Sequence, residues 1–277
     1  MLALVAALAL GSASGLGPLP GGELRIETDY SSVILRDRGF YRALYFVRDS
    51  GEEVVESIVN LAAPHVLVVP YTRRMFGSYL FVRRPTKVLV VGLGAGSMVR
   101  FLERYDPEVE IVAIDIDPEI VAIAERDFGT RPGPRVRIEA ADGFAFVRDS
   151  TERFDVVYMD AFLKPSEATD STGAPLALKT AGFYAQLKAR LTADGAVVFN
   201  LNSHEGLDDD LAGIGASFRE TFVLDVPRSG VVIAIATKRA SPRSTAELRA
   251  AAEEAEARLG AGLGLPGFLA DLRPLQR

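Results

Sequence analysis

The sequence predicts an α/β fold: a mostly parallel, seven-stranded sheet ending in an antiparallel hairpin, preceded by a small β-rich appendage. Three observations carry this expectation. After Pro85, short apolar runs alternate with helix-period stretches, the pattern of a parallel sheet covered on both faces. The first run, from Lys87, passes directly into Gly92-Leu93-Gly94-Ala95-Gly96 and then into a helical pattern, as a strand-turn-helix unit does. The last two runs are joined only by Pro227-Arg228-Ser229-Gly230, a link too short for a crossover, so they pair antiparallel.

Taken in order, residues 1–22 start with an uncharged apolar stretch followed by small residues. Nothing basic precedes Leu2, unlike a secretory signal, and the stretch is shorter than the roughly 20 residues of a bilayer-spanning helix. A signal, a membrane tether and a disordered leader all stay open for it, and it is set aside from the fold. Residues 23–84 read as the β-rich subdomain, with turn chemistry at Asp37-Arg38-Gly39 and Asp49-Ser50-Gly51.

Residues 85–240 carry the main sheet, with strands expected at KVLVVG, VEIVAID, RVRIEA, FDVVYMD, AVVFNLN, TFVLDV and GVVIAIA. Between them lie the helical stretches SMVRFLERY, PEIVAIAERDF, GFAFVRD, TAGFYAQLKARL and LDDDLAGIGASFRE. Asp117 is placed to cap the second of these, with Pro118 at its first helical position, and Thr180 to cap the fourth. Residues 241–277 open with a capping box, Ser244 and Glu247, and read as an outer helix and tail. The layout is Rossmann-like and matches a class I methyltransferase fold more closely than the two-halved dinucleotide fold.

Composition removes several function classes. The chain of 277 residues has no cysteine, which excludes disulfides, thiolate nucleophiles and thiolate zinc sites. Its two histidines, His65 and His204, lack metal-ligand spacing, so no metal is expected and each reads as a loop residue. A net charge of −6 without a basic cluster gives no footprint for nucleic acid.

The chemistry gathers at the carboxyl ends of the strands, where open α/β sheets collect their ligands. Gly92, Gly94 and Gly96 allow a sharp turn, close approach of a ligand and free N–H donors at a helix start. Asp115 ends the second strand at the spacing of a ribose-binding acid, Asp142-Gly143 follows the third, and Asp160 ends the fourth. So much negative charge repels a pyrophosphate but attracts a sulfonium and an ammonium, which favours S-adenosylmethionine or its decarboxylated form over NAD.

The pieces VLVVGLGAGS, VAIDIDPEIVAIAE, AADGFAF, FDVVYMDAF and TAGFYAQLKARLTADGAVVFN, with Tyr71 ahead of the first, resemble the spermidine synthase-like family from about Tyr30 to Ala236. The resemblance implies that Asp115 binds the ribose hydroxyls and that Asp142, followed by Gly143, binds the adenine amino group. It also implies that Gly92, Gly94 and Gly96 hold the aliphatic arm, and that Asp160 and Tyr71 line the reaction cleft as catalytic candidates. Tyr158 is a further cleft candidate, with packing inside its strand as its rival role.

The departures from that family are as informative. An aspartate of the glycine loop is Ala95 here, a second loop aspartate is Leu163, an acidic residue after Tyr71 is Arg73, and a glutamine is Ser31. A polyamine is a cation that must shed a proton before it attacks, so these losses disfavour an ordinary diamine as acceptor. The expectation is therefore a transferase carrying a methyl or aminopropyl group to another small-molecule or protein acceptor. Two alternatives stay open: authentic aminopropyl transfer with acids supplied by Glu167 or Asp170, and a nucleoside-binding module without catalysis. The resemblance further implies a homodimer, and the intracellular donor implies a cytoplasmic location, tethered at the membrane if the apolar start is retained; export fits least.

Overall fold

A computed structural model describes residues 16–239, 241 and 243–275. The leading four strands, β1 (Glu23–Glu27), β2 (Ser32–Arg38), β3 (Tyr41–Val47) and β4 (Glu53–Asn60), form an antiparallel sheet in sequential order. Gly39 and Gly51, in the two predicted turns, take positive φ of 61° and 82°, which a side chain would resist. A one-residue bulge in β4 interrupts the ladder: Leu44 faces Ser57 while the next residue, Tyr45, faces Val55, leaving Glu56 unpaired.

The second sheet has eight strands: β5 (Lys87–Val91), β6 (Glu110–Asp115), β7 (Val136–Ala140), β8 (Phe154–Met159), β9 (Leu191–Asn202), β10 (Glu220–Asp225), β11 (Val231–Thr237) and β12 (Arg273–Pro274). Their order is β12-β10-β11-β9-β8-β5-β6-β7. β5 to β9 pair in parallel, and β10 and β11 form the expected hairpin, antiparallel to β9 through β11. The eighth strand is a difference from the expected seven. Two residues of the C-terminal tail pair with Phe222 and Val223 and cover the edge that the hairpin leaves open.

Helices α1 (Pro70–Met75), α2 (Ser97–Tyr105), α3 (Pro118–Phe128), α4 (Gly143–Asp149), α5 (Ala181–Arg190), α6 (Leu207–Ser217), α7 (Thr245–Leu259) and α8 (Leu265–Asp271) complete the chain. The caps fall where local chemistry puts them: Asp117, Asp142 and Thr180 accept from Glu119, Ala145 and Phe183 amides, and Ser244 with Glu247 closes a capping box. Each such cap is worth about 1 kcal/mol. The expected last helix of the main sheet ends at Ser217, not at Glu220, because Phe218 is extended and leads into β10.

Alternation along β5 builds two cores at once. Val88 and Val90 face a cluster with Phe76, Tyr79, Phe101 and Phe268, while Leu89 and Val91 face one with Phe154, Phe183 and Phe218. A third cluster joins the first sheet to the second: Val33, Leu35, Leu44 and Val59 pack on Ile120, Ile123 and Phe128 of α3 and on Ala95 of the glycine turn. Arg42, 2% exposed, locks this junction by pairing with Asp37 and donating to the carbonyls of Asp127 and Gly17.

Part of the segment set aside at 1–22 packs into the fold. Leu16 and Leu19 are buried and the Leu19 amide donates to Asp37, so the chain is part of the fold from residue 16. The apolar stretch itself lies outside the described residues. Among the described residues no helix is long and apolar enough to cross a membrane.

Candidate active site

The glycine turn between β5 and α2 follows from backbone geometry. Gly92, Gly94 and Gly96 have φ of 94°, 51° and 73°, and a Cβ on Gly92 would lie 2.0 Å from the Asp160 carbonyl oxygen. The turn brings its amides inward rather than leaving them free. Leu93 N donates to Asp115 Oδ2 at 2.9 Å, Gly94 N reaches the same oxygen at 3.5 Å, Ala95 N donates to Ser57 Oγ at 3.2 Å, and Gly96 N to Leu93 O at 2.8 Å. The turn's own amides are thus engaged, while the Ser97 and Met98 amides at the start of α2, which has no capping side chain, keep the unpaired donors expected at the helix start. The turn offers no amide cradle for a phosphate and suits an uncharged or cationic arm laid against it.

Asp115 ends β6 half-buried, and burial raises its pKa although the amides of Leu93, Asp117 and Gly94 oppose that. Asp142 is exposed at the start of α4, where its Oδ1 caps Ala145 N at 2.7 Å and its second oxygen is left to the cleft. Asp117, two residues on from Asp115, is consumed by its own cap and by Thr28 Oγ1 at 2.5 Å, a bond that ties the first sheet to the cleft floor.

Asp160, just past β8, is held from both sides: Asn200 Nδ2 donates to Oδ1 at 2.7 Å and the Tyr71 hydroxyl to Oδ2 at 3.0 Å. Burial pushes its carboxyl up to about 6, the Asp115 charge adds to this, and the two hydrogen bonds temper it. Tyr71, from α1, is pushed well above its ordinary value by burial and by the charges of Asp160 and Glu56. Tyr71 therefore stays a neutral donor that fixes the Asp160 carboxylate.

All eight residues singled out from sequence, Tyr71, Gly92, Gly94, Gly96, Asp115, Asp142, Gly143 and Asp160, line one cleft at the carboxyl edge of the second sheet. Its far wall comes from the first sheet, with Ser31, Glu56 and Ser57. Glu56 was not foreseen: its strand is half-exposed, and only the bulge turns its carboxyl inward. Burial, then the charge of Asp160, pushes it up to about 8, against a smaller opposing effect of Arg48. Asn200, likewise unforeseen, is buried on β9.

Tyr158, Arg73, Glu167, Asp170 and His204, also singled out from sequence, lie away from the cleft lining. Tyr158 is wholly buried with its hydroxyl 2.8 Å from Ser78 Oγ, so it packs within the core. Arg73 is exposed and donates to the Gly262 carbonyl, away from the cleft, and brings no repulsion there. Glu167 is exposed, and Asp170 is committed to Lys179, Thr172 and Ala174. Burial alone would raise Asp170, but these donors outweigh it and hold it at about 2. His204 lies in the loop after β9, as expected, with its Nε2 2.9 Å from Asp210. Carboxylates of Asp170 and Asp210 and the His204 ring converge, but the Lys179 ammonium pairs with both acids and is the cation of that cluster.

Comparison with known proteins places this geometry. The structure of human methyltransferase-like protein 13 in complex with SAH is 26% identical, with a TM-score of 0.64, over 69% of this chain and 93% of that one. A probable spermidine synthase from Corynebacterium glutamicum shares the fold with a TM-score of 0.69 at 20% identity, over 91% of this chain and 90% of that one. The relatives of this chain are aminopropyltransferases and SAM-dependent methyltransferases, and the chain is a SAM-type transferase. Residues 69–239 match the spermine/spermidine synthase domain, and a polyamine aminopropyltransferase of Chromobacterium violaceum is 30% identical over 84% of this chain and 86% of its own length. The chain belongs to the spermine/spermidine synthase domain family.

Proposed function

We propose that the chain transfers an aminopropyl group from decarboxylated S-adenosylmethionine to a nucleophilic acceptor other than an ordinary diamine. One observation carries the choice of donor. The cleft is lined by five acidic residues, Glu56, Asp115, Asp117, Asp142 and Asp160, and among the described residues no Lys, Arg or His lines it. An intact S-adenosylmethionine would bring a carboxylate into that field without a cationic side chain to pair with it. The decarboxylated nucleoside carries only positive charge on its arm.

In this reading Asp115 and Asp142 take the ribose and adenine ends, and Asp160 takes the proton that an acceptor ammonium must lose. Its carboxyl, at about 6, is ionised at neutral pH yet basic enough to share that proton. The new bond forms to the propyl carbon as the carbon–sulfur bond breaks, and the electron pair leaves on sulfur as a neutral thioether. Alignment supplies most of the acceleration. The acceptor is read from Leu163, which lines the cleft where the family resemblance would put an acid, and from the engagement of Asp170 elsewhere. A second ammonium finds no carboxylate of that loop after Asp160 in the cleft lining.

The test is a product assay with each donor. Release of methylthioadenosine from the decarboxylated donor with a monoamine, and little with putrescine, is expected; S-adenosylhomocysteine as the main product would establish methyl transfer instead, and rapid consumption of putrescine would overturn the acceptor reading.

A further inference from the structure

Glu56 stands outside the mechanism above and is the cleft residue with the most unusual setting. The β4 bulge turns it out of the strand ladder and into the cleft wall, and no hydrogen bond or ion pair reaches its carboxyl among the described residues. Its neighbour Ser57 accepts from the Ala95 amide at 3.2 Å, and a Cβ on Gly94 would lie 2.9 Å from the same Ser57 oxygen. Glu56 therefore lies beside the stretch of the glycine turn along which a nucleoside's aliphatic arm would run.

Ala95 itself is fully buried among Val33, Leu35, Leu44 and Ile120, so nothing at that position reaches a ligand. A cationic arm lying on this turn has no acid from the turn to end on. The carboxyl available to it comes from the opposite sheet.

We infer that Glu56 is the donor-selecting residue: its carboxylate holds the terminal ammonium of the aminopropyl donor beside the glycine turn and turns away a donor that carries an α-carboxylate. This rests on the proposed function and deepens it, since it assigns the preference between two nucleosides to one side chain. Asp160 from the end of β8, Tyr71 from α1 and Arg48 after β3 are the charged or titratable groups that act on Glu56. Their balance leaves the empty site with Glu56 holding a proton and Asp160 without one at neutral pH. Arrival of an ammonium displaces that proton, so donor binding at pH 7 releases up to about one proton per site.

The experiment is calorimetric titration of the full chain and of Glu56→Gln with decarboxylated S-adenosylmethionine and, separately, with S-adenosylmethionine, each in two buffers of different ionisation enthalpy. Wild type is expected to prefer the decarboxylated nucleoside and to release a proton on binding it. Glu56→Gln should bind that nucleoside about ten- to a hundredfold more weakly, bind S-adenosylmethionine no worse, and show no buffer-dependent heat. S-adenosylmethionine binding by the variant also reports that it folds; where neither nucleoside binds it, circular dichroism separates misfolding from lost recognition and Glu56→Asp takes its place. Undiminished affinity and unchanged proton release in the variant would overturn the inference while leaving the transfer reading intact. If wild type bound neither nucleoside, both would fall together.

Discussion

The two cleft carboxyls make a prediction about the empty protein that needs no substrate. Glu56 ordinarily titrates at 4.5 and is pushed up to about 8 in the fold, chiefly by burial. In the pH range between those values the folded state holds a proton that the unfolded chain has released, so stability falls as pH rises. The stabilising contribution is fully present below about 4.5 and is lost as pH rises through about 8. At about 1.4 kcal/mol per pH unit the shift has a ceiling near 5 kcal/mol, which water entering through the cleft mouth reduces to about 2–3 kcal/mol. For a chain of this size that corresponds to about 3–5 °C in Tm. Melting curves at pH 5 and pH 8.5 should therefore show a decline in wild type that is smaller by roughly this amount in Glu56→Gln. Asp160, raised to about 6, adds a decline at lower pH common to both proteins. Parallel pH profiles for the two proteins would refute the burial of Glu56 as an uncompensated acid.

Asp115→Ala should weaken nucleoside binding by about 1.5–3 kcal/mol through loss of a charge-assisted hydrogen bond; an unchanged Kd would remove its ribose role. Gly92→Ala places a methyl 2.0 Å from the Asp160 carbonyl at a φ of 94°, and chemical denaturation should show a loss of at least about 3 kcal/mol. A wild-type-like midpoint would mean that the turn relaxes freely. Lys179→Met leaves the Asp170 and Asp210 carboxylates facing each other without their cation and should cost about 3 kcal/mol at neutral pH, with Lys179→Arg largely restoring stability; equal urea midpoints for all three would show that the cluster is inert.

Much of the fold was legible because its signals are local. The apolar runs, the Asp117-Pro118 start of α3 and the Ser244 to Glu247 capping box each specify their element within a few residues, and each appears as read. The glycine turn and the acids at the ends of β6 and β8 were legible for the same reason, since strand ends fix where such residues point. What escaped depends on register and distant packing. Glu56 sits in a half-exposed strand of mixed pattern, and a single inserted residue decides which way it faces. Arg73 reads as a cleft residue from its place after Tyr71, yet it turns to the Gly262 carbonyl, 189 positions later in the chain. The two-residue strand β12 has no pattern of its own and exists only because an open sheet edge lies beside it.

The division of the cleft between two sheets has a consequence for how such a protein changes. The wall carrying Ser31, Glu56 and Ser57 is encoded ahead of residue 69, where the match to the synthase domain begins. If Glu56 selects the donor as inferred above, grip on the nucleoside and discrimination among charged arms are written in separate stretches of the chain. Exchanging the leading sheet for one with a different bulge residue would redirect substrate choice while the bond-making framework behind it stayed as it is.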